Sequence, residues 1–136
     1  MKFGENTIQL LSEAFVYAKA FRCETVGTEF ILLALTRSEY TTGQILAEEN
    51  VTQDNVAEVI SKICNSSMVD LTDDEVASCT FENALQNARI DTKRVLAEAD
   101  ILAKRFGLPM EGYTYFFTYE ETLPHRKREF WKLPCA

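Results

Sequence analysis

Glu29 is the residue of this chain best placed to do chemistry, because of its setting in Val26-Gly27-Thr28-Glu29-Phe30-Ile31-Leu32-Leu33-Ala34-Leu35. A tight polar bend leads there straight into an apolar run. Gly27 offers backbone freedom at the bend. Thr28 is a preferred helix N-cap, with a hydroxyl able to accept from a free backbone N–H. Glu29 then falls in the first helical turn, where a negative charge complements the helix dipole by about 0.3–1 kcal/mol. The corner therefore presents one carboxylate beside a helix N-terminus, on top of a core helix.

Other residue types that carry catalysis lack the company they need. His125 is the single histidine, and it lies in a basic tail. That makes a Ser or Cys triad improbable. Neither a Gly-x-Ser-x-Gly elbow nor a Gly-x-x-x-x-Gly-Lys-Ser/Thr nucleotide loop occurs, so the chain is no ATPase motor. The adjacent carboxylates Glu48/Glu49, Asp73/Asp74 and Glu120/Glu121 do not share a helix face, and are read as solvated or capping groups. Cys23, Cys64, Cys79 and Cys135 are widely spaced and include no Cys-x-x-Cys pair. They read as free thiols in a reducing compartment rather than as a disulfide framework or a metal site. We expect no enzyme, no cofactor and no metal.

Glu29 must be positioned by the helices around it. Residues 5 to 21 form an amphipathic pattern, with Ile8, Leu11, Phe15 and Ala18 at helical spacing and Leu10, Ala14, Tyr17 and Phe21 widening the stripe. The unbroken apolar run after Glu29 predicts a second helix, buried nearly all round, to about Thr36. A polar loop, Arg37 to Thr41, leads to a third helix from about Thr42 to Glu49, closed by Asn50 in the left-handed conformation. Thr52 caps a fourth helix, with Val56, Val59, Ile60 and Ile63 on its inner face. Residues 65 to 71 read as a linker, and Thr72-Asp73-Asp74-Glu75 has the spacing of a capping box. A long helical pattern runs from Thr80 or Phe81 to about Phe106, where Gly107 and Pro109 stop it.

With the glycine, the cap and the long buried helix at fixed offsets, the chain resembles the Clp N-terminal domain of ClpC- and ClpB-type protein-unfolding ATPases. That family repeats F-T-x-x-A, a helix, and G-H-x-x-[IV]-G-T-E-H-L-L-L-A-L. Here Phe3-Gly4-Glu5-Asn6-Thr7 is followed, after a helix and without a gap, by Arg22-Cys23-Glu24-Thr25-Val26-Gly27-Thr28-Glu29-Phe30-Ile31-Leu32-Leu33-Ala34-Leu35. Ile45-Leu46-Ala47-Glu48-Glu49-Asn50-Val51 is similar to the family's V-L-E-E-L-G-V. The family's second repeat is sought in Arg94-Val95-Leu96-Ala97-Glu98-Ala99, Ala103 to Gly107, and Gly112-Tyr113-Thr114.

The resemblance implies an all-α, Clp N-domain-like helical bundle over residues 1–124. It would hold one complete four-helix repeat (about 3–64) and a degenerate, shortened second repeat (about 80–124), before a basic aromatic tail (125–136). In ClpC-type members the equivalent glutamate receives the guanidinium of phosphorylated arginine, while backbone donors and the F-T threonine hold the phosphate. The resemblance thus implies a partner-binding surface at Glu29 and Thr28. Gly4 stands where the family has that threonine, and Thr114 where it has the second-repeat glutamate. Phe30 replaces the family histidine and is read as core filler; Arg22 is read as a solvated charge at a helix end. Residues 113–119 are strand-like by propensity and helical by the repeat alignment, which is the reading preferred.

Composition fits a binding role. The net charge is −7, and the last twelve residues carry four of the 14 Lys+Arg and one of the 21 Asp+Glu, so the body is more acidic still. Such a body repels phosphates and suits cationic protein partners. No apolar run reaches the roughly 18 residues of a membrane span, and the first residues lack a signal peptide's apolar stretch, so a cytosolic location is expected. Two functions compete. One is a non-catalytic module binding Clp machinery, adaptors or protein substrates. The other is a regulatory or structural homo-oligomer in which another copy completes the shortened repeat.

Overall fold

The computed structural model describes residues 3–37 and 39–105, and this stretch is helical. Seven helices follow one another: α1 (Glu5–Ala20), α2 (Thr28–Leu35), α3 (Thr41–Glu48), α4 (Gln53–Cys64), α5 (Asp73–Ala77), α6 (Phe81–Gln86) and α7 (Ile90–Arg105). The all-α bundle expected from the pattern is therefore present. α2 is its centre, with Phe30, Ile31, Leu33, Ala34 and Leu35 buried. It packs against α1, α4 and α7, and α1 also packs on α6. Phe30 fills the core beside Phe21, ring centroids 6.0 Å apart.

The ends of the helices follow from local chemistry. α1 closes with Arg22 in the left-handed region (φ 60°), while the amides of Arg22 and Cys23 donate to the carbonyls of Lys19 and Ala18. These two bonds satisfy carbonyls that the helix end would otherwise leave bare. Arg22 also reaches Glu75 at 3.1 Å, so it links the end of α1 to α5 instead of standing alone. Asn50 is left-handed (φ 62°) after α3, as the sequence suggested. The Thr52 hydroxyl accepts from the Asn55 amide, and Thr72 and Glu75 form the full capping box.

Three expectations need correction. The pattern from residue 80 to 106 is not one helix, because the chain leaves the helical path at Asn87 to Arg89. The reason is a backbone demand elsewhere. Val26 is fully buried, so its polar backbone groups need partners. Its N–H donates to the Asn87 carbonyl (2.8 Å), and its carbonyl accepts from the Arg89 amide (3.0 Å). The parallel bridge between Val26 and Ala88 uses groups that would have continued α6. Second, Val59 and Ile63 do not face inward. They are 55% and 74% exposed, and only Val56 and Ile60 bury the inner side of α4. Third, Ile8 lies at the edge of the α1 stripe and is 37% exposed rather than buried.

α7 repeats the burial of α1. Thr7, Leu11 and Ala14 on α1 are sealed from solvent, as are Thr92, Leu96 and Ala99 on α7. This is the register that places Arg94 to Ala99 opposite the first helix of the chain. Among the described residues, no helix is long and apolar enough to cross a membrane.

Candidate functional site

The bend before α2 is stitched to the start of α7, and that seam positions the charged groups. Val26 holds the two segments together through its bridge, and the Thr92 hydroxyl donates a further buried hydrogen bond to the Val26 carbonyl (2.8 Å). Glu29, in the first turn of α2, and Asp91, in the first turn of α7, then face the same guanidinium. Arg89 Nη1 and Nη2 donate to Glu29 Oε1 and Oε2 at 3.1 and 2.8 Å. Its Nε and Nη2 donate to Asp91 Oδ1 and Oδ2 at 2.7 and 2.6 Å. One guanidinium is thus forked by two carboxylates.

Glu29 is therefore not a free carboxylate at the helix start. An arginine of the same chain already occupies it. Nor does Thr28 serve as the N-cap. The cap is Gly27, in the extended region (φ −88°, ψ 170°), and Thr28 is the first helical residue. Its hydroxyl donates instead to Asp91 Oδ2 at 3.4 Å. The left-handed freedom of Gly27 goes unused as well. What the bend needs is the absent side chain: a Cβ there would collide with Glu29 Oε1 and stand 2.6 Å from Arg89 Cζ and Nη1. The glycine lets the guanidinium lie against the backbone.

Electrostatics follow from the pairing. The hydrogen bonds from Arg89 hold the Asp91 carboxyl below its ordinary range, against the opposing effect of partial burial. The carboxylates of Asp91 and Glu29 raise the Arg89 guanidinium further above its already high value. Two carboxylates against one guanidinium leave the cluster with a net negative charge. It is open to water, since the side chains of Arg89, Glu29 and Asp91 are 44%, 29% and 45% exposed.

The remaining expected site residues lie elsewhere. Gly4 is the buried N-cap of α1, its carbonyl accepting from the Ile8 amide, and it does not take part in the Arg89 cluster. Thr114 lies outside the described residues. Sequence reasoning missed Arg89 and Asp91. A signal for them existed: stepping back from Arg94-Val95-Leu96 in the repeat register puts Arg89 opposite Gly4, the family's threonine position.

A second polar cluster pins the loop after α2. Arg37 pairs with Glu13 of α1 and, at 2.6 Å, with Glu39, and Tyr40 donates to Glu13 Oε2 at 3.4 Å. Burial, then the Glu13 charge, pushes the Tyr40 phenol up to about 12. Among the described residues, no group of three or more His, Cys, Asp or Glu is arranged to hold a metal ion.

No curated protein and no solved structure matches the chain significantly. A family model does match, that of the Clp repeat (R) N-terminal domain, over residues 2–108. This span contains the bend, the Val26 seam and all seven helices. The chain belongs to the Clp repeat N-terminal domain family.

Proposed function

We propose that this chain is a non-catalytic protein-binding module that serves Clp-type machinery in the cytosol, recognising adaptors, substrates or machine components. Residues 1–124 would act as a single domain with a degenerate second repeat, and 125–136 as its basic tail. The observation that carries the reading is the seam itself: two first-turn carboxylates, Glu29 and Asp91, converge on one guanidinium at the surface. A corner that holds Arg89 in this way has the donor-accepting geometry to hold an arginine from a partner protein. The acidic body favours the approach of such a partner and disfavours nucleic acid.

Arg89 competes for the same carboxylates. Solvated pairs of this kind are worth about 0.2–1 kcal/mol each. With two pairs the clamp amounts to about 0.4–2 kcal/mol, which reduces the affinity of an incoming guanidinium by about 2- to 30-fold. The test is a titration of an unstructured arginine-rich peptide, followed by amide shifts and calorimetry. Shifts should centre on Gly27 to Asp91 in space. Arg89→Ala should tighten binding by about 2- to 30-fold, and Glu29→Gln should weaken it. Unchanged affinity in both variants, with both folded, would remove the corner from the binding surface.

The solvated apolar residues support a second reading, a homo-oligomer. Val59 and Ile63 of α4 and Ile90 of α7 (76% exposed) offer apolar area that a further copy of the chain could cover. Light scattering at micromolar concentration decides it, since a strict monomer rejects this reading.

A further inference from the structure

Two thiols far apart in sequence come together beside the seam. Cys23 follows the left-handed Arg22 in the turn that closes α1, and Cys64 is the last residue of α4, followed by the left-handed Asn65. Their sulfurs are 3.9 Å apart, and both side chains are half-buried. Both sit at helix ends, where side-chain rotation and a small backbone adjustment cost less than within a packed helix. A disulfide needs the sulfurs at about 2 Å, so each has to move by roughly one ångström. We infer that Cys23 and Cys64 form a reversible dithiol–disulfide pair, a modification site tying the α1–α2 connection to the end of α4.

The oxidant is a peroxide or a small-molecule disulfide. With hydrogen peroxide, one thiolate attacks an oxygen and becomes the sulfenic acid as the first water leaves. The second thiol then attacks that sulfur, forms the S–S bond and expels the second water. Two thiols lose two electrons and two protons, and one peroxide becomes two waters. With a disulfide oxidant, two exchange steps release two small thiols. Burial, followed by the hydrogen bond with Cys64, pushes the Cys23 thiol up, which keeps the resting form protonated. Cys79, buried and donating to the Glu75 carbonyl at 3.4 Å, is an internal control with no sulfur partner among the described residues.

The bond would close a loop that contains α2, α3 and α4 and fix the segment leading into Gly27-Thr28-Glu29. Glu29 and Arg89 are already within electrostatic reach of the Cys23 sulfur. The test uses the full wild-type chain, treated with hydrogen peroxide or with oxidised glutathione. The result expected is a mass loss of about 2 Da, a Cys23–Cys64 cross-linked peptide on digestion, and full reversal by dithiothreitol. Oxidation should also raise Tm by roughly 5–15 °C through loop closure. Cys23→Ser and Cys64→Ser should each abolish both the cross-link and the Tm rise. The inference is overturned if the treated thiols carry glutathione or sulfinic acid without the cross-link. It is equally overturned if the cross-link found joins Cys79 or Cys135. The peptide map requires no variant, so a variant that fails to fold leaves the test intact.

Discussion

Arg89→Ala removes the only cation among the described residues that joins Glu29 to Asp91. Four N–H donors are lost, at 3.1, 2.8, 2.7 and 2.6 Å from their acceptors. Short distances alone would suggest a large effect. Exposure decides otherwise, because side chains that are 44%, 29% and 45% open to solvent are screened in both the pair and its separated state. Each pair then contributes about 0.2–1 kcal/mol. The loss also leaves two carboxylates facing one another, so the expected destabilisation is about 1–2 kcal/mol at pH 7. Urea unfolding followed by far-ultraviolet circular dichroism should show a lower midpoint with an unchanged slope, since the surface buried on folding is nearly the same.

The pH dependence supplies the refutation. Asp91 has its folded pKa lowered, chiefly by the Arg89 hydrogen bonds. A carboxyl lowered in this way binds its proton less well when folded than when unfolded. Its contribution is therefore present above the unfolded value, near 3.8, and disappears as pH falls through the folded value. The gap between wild type and Arg89→Ala should accordingly be constant from pH 8 to 5 and shrink below pH 4. It should also narrow in 1 M salt, where the Debye length falls to about 3 Å. A variant as stable as wild type at pH 7, or a gap undiminished at pH 2, would refute the clamp.

Three further outcomes are expected. Gly43→Ala should destabilise by about 1–3 kcal/mol, because its Cβ would collide with the Arg37 carbonyl oxygen and lie 2.8 Å from the Leu35 carbonyl oxygen; a gain in Tm, as helix propensity alone predicts, would show that the loop yields. Thr92→Val should cost about 1 kcal/mol, measured by urea titration, since the Val26 carbonyl loses its buried hydroxyl donor but keeps the Arg89 amide. Tyr40, with its phenol raised to about 12, binds its proton more tightly when folded, so stability present below pH 10 should be lost as pH rises through about 12. Tyr40→Phe should flatten that decline in the urea midpoint.

Most of the scaffold could be read from local chemistry. Asn50, Thr52 and the Thr72–Glu75 box end or start helices through contacts within four residues, so spacing alone located them. α2 was legible because an apolar run in a globular chain has nowhere to go but the core. The break at Asn87 was not legible, because its cause lies 61 residues earlier, in the backbone of Val26. Glu29 fared similarly: its helix position was readable, while its partner came from the start of α7, 60 residues on. Val59 and Ile63 carry the spacing of an inner face, yet α4 spends only Val56 and Ile60 on the core. Periodicity reports that a stripe is apolar and leaves open how much of it finds a neighbour.

Arg89 alters what family membership implies for this chain. Beside Glu29 this chain already holds a guanidinium of its own. On the proposed reading, a partner offering a single arginine must displace a tethered competitor, and the penalty of about 2- to 30-fold from a clamp of about 0.4–2 kcal/mol favours partners with several cationic groups. Those partners gain twice, because the cluster retains a net negative charge even with Arg89 in place, and steering by that charge weakens with salt. Affinity for a lysine- and arginine-rich partner should thus fall steeply with ionic strength, whereas a single arginine should bind weakly at any salt concentration. Equal affinity for singly and multiply charged peptides would mean that Arg89 opens without cost, and the clamp would then be a neutral bystander to recognition.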